Sequence, residues 1–224
     1  MLAPSGGPTD ELPEDRTRDA WPALREAQLS ALSLNATALI YPIDLDDDGK
    51  TIYTPPSSRH GGLHPRNKTA FGRRLALAIA EAEGWLPVGV LASGPRVVAS
   101  ALNAGGVQLT FSGDGSAAGL NMKPTEDCST FGKAGPGGPD PALCCQNNVT
   151  DPKNQHGYPF EVEAGGQWVL AVASVTSQGS APTVQLTPLQ SAGELSGRVR
   201  YAWQNYPLCV LANEQGLPLP PYVK

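Results

Sequence analysis

Several things are scarce or missing in this 224-residue chain, and each narrows what it does. No apolar run approaches the ~20 residues that a membrane-crossing helix needs. Charged residues make up only 17% of the chain, and the net charge is −5. Phosphate backbones call for a basic surface, so no nucleic-acid partner is expected. Anionic membrane surfaces are disfavoured on the same ground. There is no CxxC and no zinc-finger spacing among the cysteines. The serine-hydrolase turn GxSxG is absent as well. The opening MLAPSGGPTDELPEDRTRD has no basic segment followed by an apolar core, so it does not read as a signal peptide. Either the protein is cytosolic or this chain is part of a longer one. No internal repeat is visible.

What is present points to a folded, turn-rich chain. Hydrophobic residues reach 40%, enough for a real core, and the 25 glycines and 22 prolines imply β structure and long loops. Four cysteines occur, Cys128, Cys144, Cys145 and Cys209. An even count in such a chain fits disulfides formed in an oxidising compartment. The pairing is open: Cys144 and Cys145 as neighbours fit disulfide geometry poorly with each other, and Cys209 with either of them is one candidate. Asn-x-Ser/Thr triplets at Asn35, Asn67 and Asn148 agree with an extracytoplasmic route.

Along the chain, Asp19 can cap a helix from about Ala20, with Pro22 in its first turn. Trp21, Leu24, Ala27, Gln28 and Ala31 form its mainly apolar stripe. ALIYPIDL (Ala38–Leu45) is apolar almost throughout, as in a strand covered on both faces of a parallel sheet, although Pro42 counts against a central place. A loop of about twenty residues follows, a length that often marks function. A second helix then runs from the Asn67 cap to Gly84, with Phe71, Leu75, Ala78, Ile79 and Ala82 on one side. Helix, buried strand, loop, helix is α/β order. Beyond Gly84 the pattern changes to alternation. Two short strands flank Asn103–Gly106, and QWVLAVASV, APTVQLTPL and GRVRYAW read the same way. Residues 123–157 read as a long loop, and FSGDGSAAG (Phe111–Gly119) as a hairpin turn.

His64 stands out chemically. It lies three residues before the Asn67 cap, at the end of a strand–loop unit, where α/β folds place chemistry. It reads as a general base or as a solvated loop histidine. His60 precedes it by four residues, but Gly61 and Gly62 argue against a helical metal pair. Arg66 and Lys68 put cations at a helix N-terminus against the dipole, which hints that one pairs with a carboxylate or reaches substrate. Asp44, Asp46, Asp47 and Asp48 end the buried run. They could orient His64, hold a cation or form a solvated turn, and they do not complete a calcium loop. Ser57 and Ser58 lie too close in sequence to serve as a convincing nucleophile. Residue by residue, the chain offers a base and no nucleophile.

The motifs around these residues resemble the sialate O-acetylesterases, a branch of the SGNH-type hydrolases. WPALREAQL, ALIYPIDL, GLHPRNK with GRRLALAIA, SGPRV, PFEVEAGGQW and VRYAWQNYPLCVLANEQGLPLPPY carry the resemblance, in the family's order. It implies the C-terminal part of an SGNH-like doubly wound parallel α/β sheet, followed by an antiparallel β domain. Residues 1–86 would be the end of the hydrolase domain with the catalytic histidine loop. Residues 93–224 would be a β-rich accessory domain. The resemblance makes His64 the catalytic base, accepting the proton from a serine that attacks the acetyl carbonyl. Arg66 would contact a substrate carboxylate. No cofactor or metal is implied. The family's Gly-Gln-Ser-Asn nucleophile block has no counterpart here, so the nucleophile is expected upstream of Met1, on a missing N-terminal hydrolase segment. The family's acid position holds glycine, Gly61 or Gly62. Asp44 or Asp46 would then orient His64, or the site would work as a dyad.

The implied reaction removes O-acetyl groups from sialic acids or related acetylated sugars, by a secreted or lysosomal protein. A different class is a non-catalytic carbohydrate-binding module, with Trp168, Tyr201, Trp203 and Tyr206 stacking on sugar. Core packing is the favoured reading of those aromatics.

Overall fold

The computed structural model describes residues 20–35, 37–45, 67–112, 116–124, 145, 157–176, 182–190, 193–203, 207 and 209–224. Among the described residues two α-helices precede the strands. Helix α1 spans Ala20–Leu29 and runs into a 3-10 turn at Ser30–Ser33. Helix α2 spans Lys68–Ala82. The expected cap holds: Asn67 Oδ1 accepts the Ala70 N–H at 3.1 Å, satisfying one of the donors orphaned at a helix start. Gly84, at φ +70°, ends the helix in the left-handed region where glycine is favoured.

The buried faces of both helices differ from the apolar stripes expected of them. Helix α2 buries Arg74 and Ala78, while Leu75 and Ile79 stay 46% and 50% exposed. Helix α1 buries Arg25, whose Nη1 donates to the Ala202 carbonyl at 3.1 Å, and leaves Leu24 exposed. Burial pushes the Arg25 guanidinium down to about 10. Each helix thus buries a cation and leaves leucine or isoleucine side chains outward.

All strand pairings among the described residues are antiparallel. The strands are β1 (Val97–Asn103), β2 (Gly106–Phe111), β3 (Asn121–Pro124), β4 (Phe160–Ala164) and β5 (Gln167–Thr176). They continue with β6 (Thr183–Pro188), β7 (Leu195–Tyr201), β8 (Cys209–Ala212) and β9 (Tyr222–Val223). Seven form one sheet in the order β1-β2-β6-β5-β4-β7-β9, and β3 pairs with β8 in a second. The large sheet curls. At its ends, an added Cβ on Gly197 of β7 would sit 3.5 Å from Leu102 Cγ of β1, and Lys224 Nζ donates to the Val98 carbonyl.

This arrangement overturns the expected doubly wound parallel α/β sheet. Ala38–Leu45, assigned to a buried parallel strand, pairs with no strand among the described residues. It bends instead, with the Leu45 N–H on the Pro42 carbonyl at 3.0 Å. Ile40, Ile43 and Leu45 are buried all the same, and Ile43 joins the strand core. A short apolar run signals burial without fixing the conformation that achieves it. Pro42 lacks the N–H a ladder needs. The segment after β2 is also no hairpin turn, because it crosses to β3 in the other sheet.

The core forms where alternation was legible. Val107, Leu109 and Phe111 of β2 meet Val184 and Leu186 of β6, Phe160 and Val162 of β4, and Val199 and Tyr201 of β7. Burying each such side chain contributes about 1.5–3 kcal/mol. Gly106, at φ +132°, brings β2 so near β6 that a Cβ would lie 2.0 Å from the Leu186 carbonyl oxygen. Tyr201 ties the two sheets, its Oη accepting the Leu211 N–H of β8 at 2.8 Å. A disulfide joins Cys145 to Cys209 of β8, one of the candidate pairings.

Burial pushes the ionisation of Tyr201 and Tyr222 to higher pH; at Tyr201 the hydrogen bond from the Leu211 N–H opposes this and the Asp44 charge adds to it, and at Tyr222 the neighbouring Tyr201 adds to it. The unfolded chain loses these protons near the ordinary value of about 10, whereas the native chain keeps them. The native state then binds more protons, so stability falls as pH rises past that value. In a titration followed at 295 nm, these tyrosines are expected to ionise only together with unfolding. Their smooth ionisation in a chain that stays folded would contradict the packing.

Candidate functional site

The residues on which the sequence places catalysis, His64 and Arg66, lie outside the described residues, as do His60, Ser57, Ser58, Asp46, Asp47, Asp48, His156 and Tyr206. What the structure does describe is the mounting on either side of that stretch. Asp44 lies just before it, and α2, with its Asn67 cap, just after it.

These two flanks are joined by a buried ion pair. Arg74 Nη1 and Nη2 donate to Asp44 Oδ1 and Oδ2 at 2.6 and 2.7 Å, a two-point fork that matches guanidinium to carboxylate. Arg74 Nη1 also reaches the Tyr41 carbonyl at 2.6 Å. Lys123 Nζ of β3 stands 3.6 Å from Asp44 Oδ2. Asp44, offered by the sequence as an acid to orient His64, thus has both oxygens engaged by Arg74. Its work here is to hold α2 and the Tyr41–Leu45 turn to β3.

The same joint explains much of the C-terminal motif. Asn213 Oδ1 accepts the N–H groups of Gln215 and Leu217 at 3.1 and 3.0 Å, shaping the turn after β8. Its Nδ2 donates to the carbonyls of Ser93 and Ser116. Gln215 bridges to the linker after α2, donating to the Gly89 carbonyl and accepting from the Leu91 N–H. In SGPRV, an alanine at Gly94 would place its Cβ 1.9 Å from the Pro218 carbonyl oxygen, so the backbones meet there only through glycine.

The aromatic candidates separate. Tyr201 is core. Trp168 and Trp203 are half-buried and stack with arginines on the opposite, outer face of the large sheet. Arg200 makes a two-point contact with Glu161 at 2.7 and 2.8 Å, and Arg198 reaches Glu163 at 2.9 Å. The sequence reading passed over Arg74. Its spacing from Phe71 and Ala78 puts it within the apolar stripe, and that was the available signal. Among the described residues, no three histidine, cysteine or acidic side chains gather as a metal site would require, and no helix is long and apolar enough to cross a membrane.

No family model matches the chain, and no curated protein does. Among solved structures, its fold is similar to that of a carbohydrate acetylesterase from Xanthomonas citri, with a TM-score of 0.57 and 23% identity. The match covers 91% of this chain and 36% of that one, so the chain spans about a third of the length of the protein it resembles. The likeness is one of fold.

The joint gives a direct test. Asp44→Asn leaves the buried Arg74 without its counter-charge, which is expected to cost about 3–5 kcal/mol in urea unfolding. The double change Asp44→Leu with Arg74→Met removes both charges and is expected to recover most of that loss. Equal damage from the single and double variants would contradict the pair.

Proposed function

We propose that this chain is the part of a carbohydrate esterase that carries the catalytic base. It would remove O-acetyl groups from sialic acids or related acetylated sugars by a serine–histidine mechanism. The observation that carries this reading is the fold it shares with a carbohydrate acetylesterase over 91% of its length. The HPRNK motif supplies the chemistry. His64 takes the proton of the attacking serine and later returns one to the departing sugar oxygen. Arg66 forks onto the carboxylate of an acidic sugar.

The serine would come from a further hydrolase segment. Two observations support that. The chain matches only 36% of the acetylesterase. The aliphatic row of α2, Leu75 and Ile79, lies half exposed on a helix whose buried side holds an arginine, an apolar surface that such a segment would cover. In this reading residues 1–86 belong to the hydrolase domain and 93–224 form the accessory domain. A secreted or lysosomal home is supported by the Cys145–Cys209 disulfide and the exposed Asn35 of the first glycosylation triplet.

The test is acetate release from O-acetylated sialic acid by the chain together with that segment. His64→Ala is expected to lower kcat by about 10²–10⁴-fold with little change in KM, since it removes a transition-state proton transfer. Arg66→Ala is expected to act mainly on KM. Undiminished turnover in His64→Ala would overturn the assignment.

A further inference from the structure

The outer face of the large sheet carries a cluster that ester hydrolysis does not use. Glu161 and Glu163 project from β4, with Trp168 paired to Glu163 across β5 and Arg200 paired to Glu161 across β7. The Arg200 guanidinium lies 4.8 Å from the Trp168 ring centre and 5.6 Å from that of Trp203, with Arg198 5.3 Å from Trp168. Ser196 donates to Glu163 at 2.6 Å. Trp168 and both arginines are each held by at least two neighbours, so the centre of the cluster is pre-organised and little of its side-chain freedom remains to be lost on binding.

We propose that this cluster is a docking face for a neutral glycan. Three features select that partner. The charges cancel, two arginines against two glutamates, so the face holds no net attraction for phosphate or another anion. It also presents half-buried indole beside unspent hydrogen-bonding capacity. Arg198 is 54% exposed, and its fork retains donors beyond the one given to Glu163. A pyranose ring has the matching composition, with apolar C–H faces and a rim of hydroxyls that both donate and accept. Finally, away from the cluster the outward positions of β6 and β2 are amides and hydroxyls, such as Gln185 and Thr187, without charge. Between them and the cluster, β5 turns half-buried Leu170 and Val172 outward, so a sugar chain crossing the strands would meet apolar surface for its C–H faces flanked by polar groups.

The inference stands apart from the esterase reading, because its test records binding and not acetate release. The intact chain is titrated calorimetrically with cellohexaose, xylohexaose, mannohexaose and 3′-sialyllactose. At least one neutral hexasaccharide is expected to bind. Trp168→Ala and Arg198→Ala are each expected to weaken it by about tenfold or more, with the far-ultraviolet circular dichroism unchanged. Arg198 is exposed, so its variant decides the matter if Trp168→Ala fails to fold. Absence of binding by all three neutral sugars at millimolar concentration would overturn the proposal. So would binding of the sialylated sugar alone, or neutral-sugar binding that survives Arg198→Ala.

Discussion

The arrangement of this chain depends on one buried ion pair, Arg74 with Asp44. Taking two charges out of water is expensive, and only a well-formed pair with further hydrogen bonds recovers the cost. Both conditions are met, by the two-point fork and by the Tyr41 carbonyl. A buried pair adds little net stability over apolar residues of the same size, but it dictates position. Arg74 fixes helix α2 against the Tyr41–Leu45 turn and the turn after β8, and the aliphatic row of the helix is left outward. Lys123 and the turn organised by Asn213 join the same knot, so the helical segment and the C-terminal motif are set against each other by polar contacts.

Around that knot the antiparallel strands supply the bulk of the stability. Curling one sheet brings its two ends near each other and encloses a core of Val, Leu, Phe and Tyr side chains. The outer face is mixed, with amides, hydroxyls and the tryptophan–arginine stack beside aliphatic Leu170 and Val172. The two faces thereby take separate tasks. The inner one holds the fold and receives the Ile43 turn. The outer one carries the tryptophan–arginine cluster.

Alternation was the most readable signal. Val107, Leu109 and Phe111 announced β2, and the strands β5, β6 and β7 lay where period-two patterning put them. Caps were legible too, through Asn67 and Gly84. Short or fully buried pieces were not: β8 is buried at all four positions, and β9 is two residues long. The run Ala38–Leu45 misled because continuous apolarity fits a tucked turn as well as a parallel strand. The helix stripes misled because propensity and spacing record amphipathicity but not which side meets the strands, and a paired arginine outweighed the leucines. For the candidate site, sequence named His64 and Arg66 through a resemblance, while its mounting through Arg74 emerged only in three dimensions.

In the proposed function this chain contributes a base to a hydrolytic site and takes its nucleophile from a further segment. The most direct measurement is the intact mass of the chain after exposure to a fluorophosphonate, which marks activated serines covalently. The account predicts no adduct on the chain alone. A single serine adduct that disappears in His64→Ala would show a complete nucleophile–base pair within these residues and would contradict it.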